Sequence, residues 1–165
     1  MRRIHLPLIP AFTLLLAAPC AAEPLAVRAG EDNDRMSVIY SDSACGKAAR
    51  CDKAQMGCRA PGEFFLSVLN LPKAQVQAWL KADKGGATLR IDDGSFALTA
   101  DSLDGMHGKT GLVDVAFFGG ERQSEIWAAL APAKTAEISL GAAHLTLAGE
   151  GVTVDLKALA GACTK

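Results

Sequence analysis

Three of the chain's five cysteines, Cys45, Cys51 and Cys58, fall within fourteen positions, and a fourth, Cys163, stands near the C-terminal end. Cysteines at such density bind metal, carry electrons or pair as disulfides, and their spacing separates the three. Structural zinc sites take ligands in close pairs, whereas here the intervals are five and six residues and no histidine is near. Met56 with Cys58 as soft copper ligands is a second, weaker reading. Redox catalysis and haem attachment both need two cysteines separated by two residues, a pattern the chain lacks. The remaining chemistry is that of His107, in Gly-Met-His-Gly close to Asp101 and Asp104, and of His144. A histidine beside carboxylates serves hydrolysis or metal handling. No HExxH, GxSxG, SxxK or phosphate-loop pattern accompanies them.

The compartment decides among the cysteine readings. Residues 1–22 place Arg2 and Arg3 before an apolar stretch that ends in Ala21 and Ala22, the layout of a secretory signal peptide. Pro7 and Pro10 interrupt the stretch, and its continuous part, Ala11 to Ala18, falls far short of the roughly 20 residues that span a bilayer, so no transmembrane anchor is expected. Cleavage after Ala22 is therefore expected, leaving residues 23–165 in the periplasm or outside the cell. A lipoprotein anchored through Cys20 is the alternative, opposed by Pro19 directly before it. Cleavage removes Cys20 and leaves four cysteines, an even number, in an oxidising compartment. That points to two disulfides among Cys45, Cys51, Cys58 and Cys163.

Half of the 165 residues are hydrophobic, and residues 23–165 suit one domain with a sizeable core. Without Arg2 and Arg3, 15 basic residues face 18 acidic ones, a net charge of −3 with no basic patch, so nucleic acid is not an expected partner. Glu31 to Arg35 form the one local charge run, read as a solvated start to the domain rather than a calcium loop.

The elements that must position these residues come in two similar sets, 64–100 and 112–149. Each runs strand, helix, strand, turn, strand, and Trp79 and Trp127 align at an offset of 48 residues. Val76, Trp79 and Leu80 share one helical face, as do Ile126, Trp127 and Leu130, so both tryptophans are expected in the core. Alternating strands are predicted over Ala87 to Ile91 and Ser95 to Ala100, joined at Asp92-Asp93-Gly94. A second pair covers Ala136 to Leu140 and Ala143 to Ala148, joined at Gly141-Ala142. The expected fold is α+β: a β-rich single domain with an antiparallel, sandwich-like sheet, short helices packed on it and an internal βαββ pseudo-repeat. Leu156, Leu159, Ala160 and Cys163 lie at helical spacing and turn Cys163 inward. Four cysteines permit three pairings. Cys58 is the preferred partner of Cys163, because it directly precedes the apolar strand "FFLSVLNL" against which the last helix can pack; Cys45 and Cys51 then pair with each other.

The strand "SVIYSDSAC", the Gly57-Cys58 pair and the "ISLGAAHLTLAGEGVTVDLKALAGAC" ending resemble the invasion-associated locus B group of small exported proteobacterial proteins. The positions that carry the resemblance are Cys45, Gly57, Cys58, Leu147, Gly149, Leu156, Leu159 and Cys163. The resemblance implies a β-rich periplasmic or secreted protein, associated in name with host-cell entry, and supplies no active-site residue.

Together these readings predict a non-catalytic binding module. No catalytic residue, cofactor or metal is assigned, and the contacts fall to the loops Ser41 to Gly62 and Leu103 to Gly111. The expected partner is an envelope or host protein, or a glycan. The alternative is a small periplasmic hydrolase or metal-handling protein using His107 and nearby acids.

Overall fold

The structure, a computed structural model, describes residues 25–29, 36–42 and 52–165. Its strands are β1 (Leu25–Ala29), β2 (Met36–Asp42), β3 (Asp52–Cys58), β4 (Phe64–Pro72), β5 (Gly86–Ile91), β6 (Gly94–Asp104), β7 (Leu112–Phe118), β8 (Ala136–Leu140) and β9 (Ala143–Ala148). Helix α1 (Lys73–Asp83) follows β4, α2 (Gln123–Leu130) follows β7 after a single 3₁₀ turn, and α3 (Leu156–Cys163) closes the chain. All pairings are antiparallel and the strands form one sheet in the order β1-β2-β3-β4-β7-β6-β5-β8-β9. The molecule is β-rich with three short helices, and the order strand, helix, strand, strand occurs twice, from β4 and from β7.

One correction concerns residues 41–62. Residues 52–58 were expected in a binding loop but form β3, in which Asp52, Ala54, Met56, Gly57 and Cys58 are buried. The stretch lacks β-branched residues, so propensity hides the strand; burial between β2 and β4 creates it. Met56 is wholly buried in the core.

Burial alternates along β5, β7 and β8, as expected of strands with one face on a core. The first hairpin turn is fixed by bonds to a distant segment and the second by a glycine. Gly141 takes a φ of 58°, and Asp92 takes 45° while its carboxylate accepts the Thr135 N–H (2.8 Å), the Thr135 hydroxyl and the Lys134 N–H. These bonds hold the Asp92 carboxyl below its usual range, chiefly through the Thr135 backbone.

Both tryptophans are core residues. Trp79 packs edge-on to Phe117 and donates its indole N–H to the Gly86 carbonyl (2.7 Å), while Trp127 packs edge-on to Phe64. Helix α3 begins at Asp155, whose carboxylate accepts the Ala158 N–H (2.8 Å). Its buried face, Leu156, Leu159, Ala160 and Cys163, brings Cys163 onto β3, where a disulfide joins it to Cys58 with Cα atoms 5.6 Å apart. Gly62 also donates its N–H to the Cys163 carbonyl. Cys45 and Cys51 lie outside the described residues, as do residues 1–22, expected to be a signal peptide, and the acidic run 31–35.

Strand β6 shows how the sheet rolls. Its first part, Gly94–Thr99, pairs with β5, and after a register shift at Ala100 and Ser102 its end pairs with β7. Strand β9, its counterpart in the second set, pairs with β8 and stops at Ala148, because Gly149 turns the chain at a φ of 138° and bridges to Val152. No further strand pairs with β9 among the described residues. Strand β4 takes β3 on that side instead, through Val68. The sheet therefore curls toward a barrel and leaves a seam between β4 and β9.

Candidate binding site

The seam is shaped by a bulge in β4. Pairing with β7 shifts register between Val68 and Leu71, so that Leu69 and Asn70 together stand opposite Asp114 and β4 carries one extra residue. Asn70 adopts a left-handed φ of 57°, which asparagine tolerates better than most residues. Its N–H donates to Asp114 Oδ1 (2.7 Å) and its side-chain amide donates to the Asp52 carbonyl (2.9 Å). The buried Asp52 carboxylate accepts the Ser41 hydroxyl in turn. Four neighbouring strands, β2, β3, β4 and β7, are thus linked at one level, where the β3–β4 ladder ends at Val68.

On one side of the bulge lies an apolar slot of about 200 Å³ between β4 and β9. Val68, Leu71, Leu140, Ala143 and Leu145 supply its apolar lining, and Lys53 is the only Lys, Arg, Asp or Glu on it among the described residues. Leu71, Ala143 and Leu145 are only partly buried, so the core reaches the surface here. The slot continues beneath α1 as a narrow crease toward Val76 and Trp79. His144, exposed on β9, shares a 2.9 Å hydrogen bond between its Nδ1 and the Ser139 hydroxyl on the paired strand.

On the other side lies an open polar pocket of about 390 Å³, lined by Asn70, Asp104, Gly105, Thr110, Leu112 and Asp114. Asp104 and Asp114 face each other across the β6–β7 ladder. Like charges so placed repel, and each carboxylate is tied down by a backbone N–H, of Gly105 (2.8 Å) and of Asn70. His107 sits exposed on the connecting turn, does not line this pocket, and makes no hydrogen bond among the described residues. Asp101 is exposed as well. The structure thus brings Asp104 to a pocket but neither His107 nor a serine to Asp104. Among the described residues, no group of three or more histidines, cysteines, aspartates or glutamates is placed to hold a metal ion.

Lys53, Asn70, Leu71 and Leu145, which shape the seam, were not anticipated. The one hint was Asn-Leu-Pro ending an apolar strand, a combination that favours a local break. Compared with known proteins, the chain matches no family model, no curated protein and no solved structure.

Proposed function

We propose that this is an exported, non-catalytic binding module, periplasmic or secreted, that holds a segment of an envelope or host protein in the slot between β4 and β9. The observation that carries the reading is the slot itself: partly exposed apolar side chains where β4, inside the sheet, lies beside the edge strand β9 without pairing to it among the described residues. Its apolar lining favours a peptide side chain over a glycan. The signal-like N-terminus, the Cys58–Cys163 bridge and the lack of any described helix long and apolar enough to cross a membrane are compatible with export. Kinship with the invasion-associated locus B group belongs to the same proposal and rests on the motifs around Cys58 and Cys163. Descent of 64–100 and 112–149 from one duplicated unit is supported by their matching element order and the tryptophan offset.

The test is retention of envelope proteins by the oxidised, exported protein and by Leu145→Glu, after equal urea midpoints show that both are folded. A protein held by wild type and lost by the variant is expected. Equal retention by both, or retention by neither, overturns the reading.

A further inference from the structure

Resting on that reading, we propose that the ligand is an extended peptide segment that adds as a strand to the outer edge of β9, carrying a carboxylate that meets Lys53. Exposed sheet edges offer a row of backbone donors and acceptors, and proteins usually guard them with charged residues, proline or bulges. The sequence of β9, Ala-His-Leu-Thr-Leu-Ala, holds no proline and no lysine, arginine, aspartate or glutamate. The strand's one irregularity, a bulge at Leu147, lies at its far end, so among the described residues the β9 edge from Ala143 to Thr146 is open to pairing and borders an apolar slot.

The register of the added strand follows from the β8–β9 hairpin. Leu140 and Ala143 flank a two-residue turn and so exchange backbone hydrogen bonds with each other, as do Ile138 and Leu145 two positions on. His144, between them, must then present its N–H and carbonyl to the outer edge, and Thr146 does so next. Ala143 and Leu145 are half-buried in the slot, whereas His144, which also borders it, and Thr146 are exposed. An incoming strand thus gains backbone bonds from His144 and Thr146 and places alternate apolar side chains in the slot. Lys53, the only Lys, Arg, Asp or Glu lining it among the described residues, selects an acidic residue. A second copy of this chain, pairing β9 to β9, brings no acid in that strand and leaves Lys53 unanswered.

The experiment titrates the ¹⁵N-labelled, oxidised protein with the capped peptide acetyl-Thr-Val-Glu-Val-Thr-Leu-amide and with the same peptide N-methylated at alternate residues. Saturable shifts and slowed hydrogen exchange are expected at the His144 and Thr146 amides, with affinity at least about tenfold weaker for the methylated peptide, since methylation removes the donors a strand must offer. Lys53→Glu, exposed to the same two peptides and to one with lysine in place of glutamate, is expected to reverse the preference. Equal affinity of the two original peptides overturns strand addition yet leaves slot binding intact. Concentration-dependent shifts on β9 without peptide point to self-pairing and overturn the proposal, as does the absence of any shift at His144 and Thr146.

Discussion

Removing the Cys58–Cys163 bridge tests the architecture most directly. The bridge spans 105 residues, which includes all of β4 to β9, so the unfolded oxidised chain is held in one large loop. In the chain-entropy description, closing a loop of that size removes about 16 cal/mol/K from the unfolded ensemble, or about 5 kcal/mol at 25 °C. Typical domain stabilities are about 5–15 kcal/mol, so the loss takes between a third and nearly all of it. The perturbation is Cys58→Ala with Cys163→Ala, leaving Cys45 and Cys51 unchanged. Urea unfolding followed by the fluorescence of the buried Trp79 and Trp127 reads the result. With a denaturant slope of about 2 kcal/mol/M, the midpoint is expected to fall by about 2 M, and the slope to rise because the open chain exposes more surface. A loss below about 1 kcal/mol with an unchanged slope refutes loop closure as the bridge's contribution.

Three further outcomes are expected. Trp127→Ala should cost about 3–5 kcal/mol as a large-to-small core change, and Trp79→Phe about 1–3 kcal/mol by leaving the Gly86 carbonyl without its donor; denaturation at wild-type urea concentration in both contradicts their core placement. Gly57→Ala should cost about 3 kcal/mol or more, because the new Cβ would stand 2.1 Å from the Met36 carbonyl oxygen of the facing strand; a thermal melt within about 2 °C of wild type contradicts that close approach. Asp92→Asn should lower the melting temperature at pH 7 and lose this difference in acid. The folded carboxyl is held below its ordinary value, so its contribution is present above about pH 4 and disappears as pH falls through the folded pKa. Parallel melting curves for the two proteins from pH 7 to pH 2 contradict that linkage.

Much of the fold is written in short-range pattern. Whereas the first hairpin turns at Asp92-Asp93, with Gly94 already in β6 and Asp92 held by Lys134 and Thr135, alternation along 87–91 and 136–140, the Gly-Ala turn, and the helical spacing of Val76 with Trp79 and of Leu156 with Cys163 each depend on residues a few positions apart. Such features are decided locally, because a strand or helix face is buried or exposed by its own period. The inward turn of Cys163 belongs here too, whereas the pairing that joins it to Cys58 depends on which strand α3 meets. The role of Gly57 is of the second kind: in sequence it is one glycine among 16, and only the approach of the β2 backbone explains why a side chain cannot stand there.

The candidate site was almost wholly beyond the sequence. Attention to His107 and its neighbouring acids followed residue chemistry, but chemistry needs convergence, and the turn holds His107 out in solvent away from the pocket that Asp104 lines. The seam arises from a comparison no local window contains: β6 is long enough to pair with β5 and then β7, while β9 ends at Gly149 and leaves β4 to β3. Residue types along the chain thus set most of the strands, the helices and an inward-facing Cys163. Beyond the two hairpins, tertiary structure alone decided which strands became neighbours, where β4 was left beside β9 without pairing to it and which apolar residues remained at the surface, because those depend on contacts between segments about 40 to 105 residues apart.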